Sequence, residues 1–152
     1  MGCGDWNDGM DRVGSGGKGE SVWLAWFLYR NLRLVASLAR ARDDSPYALA
    51  CDEHAERLRR NIEANAWDGD WYRRAYFDDG VPLGSASGEE CRIDAISQSW
   101  AVRSGGGDPA RARLAMAAVD ELLVLPEARL IKLLAPPFDI SSLEPGYIKG
   151  YG

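Results

Sequence analysis

The sequence predicts a mainly α fold with a few short strands between helices. Three observations predict it. Two long stretches, from Glu20 to about Arg40 and from Ser45 to about Trp67, carry apolar residues thickly or at helical spacing. Helix-start signals recur at Ser45-Pro46, Asp94 and Asp108-Pro109. The 152 residues are 46% hydrophobic and 27% charged, which is the size and composition of one folded domain.

The elements follow in order. Met1–Gly19 reads as loop, because glycines recur at 2, 4, 9, 14, 16, 17 and 19 without an apolar period. The first helix carries Val22, Trp23, Leu24, Trp26, Phe27, Leu28, Leu32, Leu34, Val35 and Leu38. Its first half is apolar on nearly all sides, which predicts burial in a larger assembly. The second helix takes Ser45 as N-cap and Pro46 in its first turn. Tyr47, Cys51, Ala55, Leu58 and Ile62 form its apolar stripe, and Arg57, Arg59, Arg60 and Glu63 its wet face. Asp68-Gly69 signals a turn after it. Trp71–Phe77 reads as a short strand, closed by Asp78-Asp79-Gly80. Val81–Cys91 reads as a loop. Asp94 caps a third helix that ends at Gly105, and Asp108-Pro109 opens a fourth. Leu130–Leu134 is a short strand or helical turn, stopped by Pro136-Pro137. The tail, Phe138–Gly152, reads as irregular.

Charge and cysteines narrow the function classes. Lys plus Arg is 18 and Asp plus Glu is 23, so the net charge is −5. That balance disfavours nucleic acid, whose phosphates need an excess of cations. The three cysteines, Cys3, Cys51 and Cys91, are odd in number and widely spaced, which fits a reducing compartment such as the cytoplasm. With one histidine, His54, and no Cys-x-x-Cys, no structural zinc site is predicted. His54 reads as a helix-surface residue. Six Trp and six Tyr suit either sugar-stacking faces or core filling.

The densest polar cluster is Gly4-Asp5-Trp6-Asn7-Asp8-Gly9-Met10. Two carboxylates three residues apart flank an aromatic ring and an amide. One reading is a sugar site with a catalytic acid. The other is a turn that caps a helix or holds a cation weakly. Gly14–Glu20 imitates a phosphate loop, but Arg12 and Gly19 stand where that loop needs glycine and a hydroxyl. Gln98 and Trp100 either face a cavity or pack, and the tail Glu144–Tyr151 is either a binding loop or a frayed end.

Five segments in one order carry a family resemblance: Gly4–Met10, Gly17–Trp23, Gln98–Val102, Pro136–Asp139 and Pro145–Tyr151. Together they resemble the catalytic domain of glycoside hydrolase family 94, the inverting glycoside phosphorylases. Glu90-Cys-Arg-Ile-Asp94 ahead of Gln98-Ser-Trp100 is most similar to the phosphorylase domain of cyclic β-1,2-glucan synthases. The resemblance implies a partial (α/α)6 barrel, with residues 1–152 as one partial catalytic domain. It implies inverting phosphorolysis of β-linked glucans to α-glucose 1-phosphate, with Asp8 as the general acid. Trp6, Asp5, Asn7, Tyr147 and Tyr151 are the implied sugar-binding residues. Phosphate is then a co-substrate, and no metal or organic cofactor is implied. The family allows a homodimer in the intact enzyme, and the synthase likeness implies an inner-membrane tether in a parent of that type.

The resemblance also implies missing parts. A family His and Thr-Gly pair that bind phosphate follow the Tyr151 motif, and sugar-gripping Arg and Asp residues precede the Asp8 motif. The expectation is therefore that this chain alone is inactive and exposes apolar surface around Trp23, Trp26 and Phe27. Two rival readings are a non-catalytic glucan-binding or inactive remnant, and an inverting hydrolase of related fold.

Overall fold

The computed structural model describes residues 1, 8–140, 142 and 144–151, with the backbone alone for Asp8, Gly150 and Tyr151. The described residues form four α-helices: α1 (Val22–Arg40), α2 (Ser45–Asn65), α3 (Ala95–Ser104) and α4 (Pro109–Leu123). Short antiparallel pairs join them. β1 (Glu20–Ser21), β2 (Ala75–Tyr76) and β3 (Pro82–Leu83) make one sheet in that order. β4 (Ile93–Asp94) pairs with β7 (Leu134–Ala135), and β5 (Val124–Leu125) with β6 (Leu130–Ile131). Turns of 3-10 helix lie at Asp8–Met10 and Tyr147–Tyr151. The fold is mainly α, as the periodicity predicts. No helix among the described residues is long and apolar enough to cross a membrane.

Helices α1 and α2 form a hairpin. α1 begins two residues later than its pattern suggests, because Glu20 and Ser21 pair with Tyr76 and Ala75. The N-cap of α2 is Asp44, not Ser45: its carboxylate accepts the Tyr47 N–H at 3.2 Å. An anionic cap also suits the positive end of the helix dipole. α2 ends at Asn65, and Trp67 beyond it bridges to Tyr72. Ala36 and Ala39 meet Ala48 and Cys51, small residues that let the helices approach. Tyr47, counted in the apolar stripe, is exposed, and Ala48 is buried in its place. Asp52 on α2 bonds Arg33 at 2.5 Å and also Arg40, both on α1.

The first half of α1 is less enclosed than its composition predicts. Val22, Trp23, Trp26 and Tyr29 are buried, but Phe27 and Leu28 are each 41% exposed. The expected exposed apolar surface is therefore at Phe27 and Leu28, and not at Trp23 or Trp26. Tyr72 covers Trp26 edge-on at 5.6 Å, and Trp100 on α3 meets Trp23 at 5.8 Å. Gly106 is needed here: a Cβ would sit 2.7 Å from the Tyr29 ring and 2.8 Å from the Trp26 ring.

Both later caps stand as the sequence predicts. Asp94 accepts the Ile96 N–H at 2.8 Å, and Asp108 accepts those of Ala110 and Arg111 at 2.9 and 3.0 Å. Gly105, at φ 71°, closes α3. Glu63 departs from its predicted wet face. It accepts from the Tyr72 hydroxyl at 2.8 Å, the Asp108 N–H at 2.7 Å and Arg111 at 2.8 Å, tying α2 to the start of α4. Phe138–Gly152 is not wholly irregular, since residues 147–151 form a 3-10 turn.

The strand expected over 71–77 shrinks to two residues because Gln98 captures the backbone before it. The Gln98 amide accepts the Tyr72 N–H at 2.8 Å and donates to the Tyr72 and Asp94 carbonyls at 2.8 and 2.9 Å. Gln98 is fully buried, so neither group of Tyr72 gains water if the amide goes. Each orphaned buried group costs about 1–3 kcal/mol. Gln98→Ala is expected to lower the unfolding free energy by roughly 3 kcal/mol in urea titration; an unchanged midpoint would refute the clamp.

Candidate active site

The site is built on a small apolar cluster. Met10 and Val13 are fully buried and meet Ala75, Leu83, Cys91 and Phe138, with Ile148 packed against them. Residues far apart in the chain thus share one floor: the turn that begins at Asp8, the Cys91 loop, the Pro136–Asp139 segment and the tail helix. The two 3-10 turns touch above it.

Polar groups fix each wall of that floor. Glu90 is buried, and its carboxylate accepts the Asp139 and Ile140 N–H groups at 2.9 and 2.6 Å. Arg74 and Asp94 are both fully buried, with Arg74 Nε 3.5 Å from Asp94 Oδ2. Arg74 also donates to Ser21 Oγ at 3.0 Å. Cys91, at φ 45°, packs below. Burial, and then the charge of Asp94, pushes its thiol well above the usual range, so it is an inert core residue.

The glycine-rich loop that imitates a phosphate loop already holds an anion. The N–H groups of Gly16, Lys18 and Gly19 donate to the Asp78 carboxylate at 2.6, 2.7 and 2.8 Å. These backbone bonds hold the Asp78 carboxyl below its usual range. The nest is filled from within the chain, which explains a loop of this composition without a nucleotide.

An open cleft of about 530 Å³ runs beside the two 3-10 turns, lined by Asp11, Arg12, Glu144, Gly146, Tyr147 and Lys149. Lys149 Nζ bonds Glu144 at 2.9 Å, and Arg12 Nη1 lies 3.7 Å from the same carboxylate. The Lys149 hydrogen bond, then its charge, holds the Glu144 carboxyl below its usual range. Clefts of about 550 and 560 Å³ lie elsewhere, over α1 and α2 and beside α4. They are lined mostly by apolar and small side chains and do not reach the Asp8 turn.

Of the residues singled out in the sequence, Asp5, Trp6 and Asn7 lie outside the described residues. Asp8 opens the first 3-10 turn, described as backbone. Tyr147, 52% exposed, begins the second turn, and Tyr151 ends it. The backbones that carry Asp8, Tyr147 and Tyr151 are thus brought together. His54 sits half-buried on α2, within a helix and not in this cleft. Sequence reasoning gave no role to Arg74, and met Arg12, Glu90, Glu144 and Gly146 only as parts of longer motifs. Pro145-Gly146 ahead of an aromatic was a turn signal for the last of these. Nothing local marks Arg74, whose partners are distant in sequence.

A model of the catalytic domain of the glycosyl hydrolase 94 superfamily matches residues 1–152. The chain belongs to that superfamily. It is 53% identical to the cyclic beta-(1,2)-glucan synthase NdvB of Rhizobium meliloti over 148 residues. That match covers 97% of this chain and 5% of the relative. It is 42% identical to the solabiose phosphorylase of Paenibacillus borealis, over 97% of this chain and 19% of the relative. Against the N,N'-diacetylchitobiose phosphorylase of Vibrio proteolyticus it is 32% identical, over 95% and 18% respectively. The chain therefore spans between 5% and 19% of the length of these relatives.

Asp78 gives this family domain a pH signature. Its folded carboxyl titrates below the unfolded one, so its contribution is complete above the unfolded value near 3.8 and is lost as pH falls through the folded value. Thermal unfolding followed between pH 6 and 3 is expected to show Asp78→Asn less stable than the parent at the upper end. The gap should close toward pH 3. A constant gap would mean that the carboxylate charge is not what the nest holds.

Proposed function

We propose that this chain is the acid-bearing part of an inverting phosphorylase acting on β-linked glucans, with Asp8 as the general acid. The observation that supports it most is the family match along all 152 residues, in a fold where the Asp8 turn and the Tyr147–Tyr151 turn meet over one cleft. The NdvB relative, named for β-(1,2)-glucan, supports the β-1,2 linkage as the one cleaved.

The chemistry needs one carboxylic acid. A phosphate oxygen attacks the anomeric carbon from one face as the glycosidic C–O bond breaks. The leaving sugar oxygen takes its proton from Asp8 on the other face, and the product is α-glucose 1-phosphate. An inverting hydrolase needs a second carboxylate to activate water. Phosphate is already an anionic nucleophile, so that second base is dispensable. Asp8 must be protonated near neutral pH, and the like charges of Asp5 and bound phosphate favour that form. Trp6 gives the sugar a stacking face, Asp5 and Asn7 hydrogen-bond its hydroxyls, and Tyr147 and Tyr151 are its partners from the tail. Phosphate enters as co-substrate, and the proposal requires no metal or organic cofactor. Buried free thiols at Cys51 and Cys91 favour the cytoplasm as the place of reaction.

In the intact polypeptide, Asp8→Asn is expected to lower kcat for phosphorolysis of a β-1,2-glucooligosaccharide by about 10²–10⁴-fold, the usual contribution of a placed general acid. Trp6→Ala should chiefly raise KM for the sugar. Initial rates of glucose 1-phosphate release check both. Full activity in Asp8→Asn would remove the acid from the mechanism. Cleavage without phosphate would mean a hydrolase, and sugar binding without turnover would mean a non-catalytic module.

A further inference from the structure

The two 3-10 turns meet backbone to backbone, and the seam leaves no room for a side chain. Gly146 stands there at φ 130°, in the region that favours glycine. A Cβ on it would lie 2.5 Å from the Gly9 carbonyl oxygen and 2.9 Å from the Asp11 nitrogen, and would also meet Asp11 Oδ1. Gly9 directly follows the acid. Beside this contact the Arg12 N–H donates to the Pro145 carbonyl at 3.1 Å, and Pro145 is fully buried. At the rim Glu144 bonds Lys149 at 2.9 Å and faces Arg12 at 3.7 Å. Residues 144–149 therefore grip residues 9–12 at three points.

We propose that this clasp, with Gly146 at its centre, positions the Asp8 turn for proton delivery to the leaving sugar. The inference rests on the reading of Asp8 as general acid. Gly146 acts through Gly9 and Asp11, so its role is that of a positioning residue. The rim charges are exposed and add a smaller, about threefold, part of the hold. The backbone contact is the part that sets the distance.

The test varies the leaving group. A β-linked oligosaccharide leaves as a sugar alkoxide and needs the proton of Asp8. A β-glucosyl fluoride leaves as fluoride ion as phosphate bonds to the anomeric carbon, and needs none. Both are assayed with inorganic phosphate on the intact polypeptide that carries this chain. Gly146→Ala is expected to lower kcat on the oligosaccharide by roughly 10–100-fold with KM for phosphate nearly constant, since a misplacement of about 1 Å has that effect. On the fluoride its kcat should stay within about threefold of the parent, because the proton-transfer step is absent. Equal losses on both substrates, or no loss on either, would overturn the clasp. Should Gly146→Ala fail to accumulate folded, the double variant Arg12→Gln/Glu144→Gln keeps the glycine and removes the rim. Its expected loss is about threefold, confined to the oligosaccharide; the same loss on the fluoride, or none on the oligosaccharide, overturns the proposal. Asp8→Asn separates the two layers. Full activity on the oligosaccharide in Asp8→Asn sinks the acid reading itself. A leaving-group-dependent loss there, without one in Gly146→Ala, sinks only the clasp.

Discussion

The buried pairing of Arg74 with Asp94 is the constraint on which the rest of the described fold depends. Two charges with no exposure are costly to desolvate and persist only when their remaining polar atoms are engaged. Arg74 precedes β2 and reaches Ser21 at the end of β1; Asp94 ends β4 and caps α3. The pair therefore stitches the three-stranded sheet to the helical layer. It also sits between the two larger core clusters, next in sequence to Ala75 of one and Ile93 of the other. Exchange of either partner for an apolar residue would remove one of two facing buried charges at the junction. Such a pair favours the arrangement of sheet against helix in which the two charges face each other.

Gln98 works on the same junction by different means. It holds the Tyr72 backbone and the Asp94 carbonyl with one side-chain amide. Tyr72 then covers Trp26, and Trp26 anchors the first half of α1. A residue that from pattern alone either faced a cavity or packed is thus a brace between strand and helix. Its neighbour Trp100 packs against Trp23 and Phe27 at 5.8 and 5.1 Å, so that aromatic content goes largely into the core.

Local signals were legible in the sequence and distant ones were not. The caps at Asp94 and Asp108 and the stop at Gly105 depend on two or three neighbouring residues, and they stand where the pattern put them. Asp44 displaced Ser45 because both are good caps one position apart, and the helix dipole prefers the charge. Glu63 read as solvent-facing because helical spacing alone cannot see Tyr72, Asp108 and Arg111 arriving from elsewhere. The Gly14–Gly19 loop looked like an anion cradle and is one. Its anion is Asp78, about 60 residues on, a pairing no motif encodes. For the site, the motifs pointed to Asp8 and its neighbours as the proposed acid cluster, while the seam at Gly146 needed three dimensions.

That seam bears on how a one-acid mechanism is controlled. A hydrolase can divide proton transfers between two carboxylates, each placed by its own wall. With a single acid, its distance to the leaving oxygen is set by the backbone that carries it. Here that backbone is a single short turn, too short to be stable by its own hydrogen bonds. It is held from below by Met10 and Val13 in the apolar floor and from the side by Pro145 and Gly146. Apolar contacts tolerate sliding, but a carbonyl and an amide packed against a glycine do not. The floor therefore fixes the depth of the turn, and the glycine seam fixes its register against the tail. The tail that carries Tyr147 and Tyr151 is bound by the same seam, so the proposed acid turn and the tail turn move as one unit or not at all.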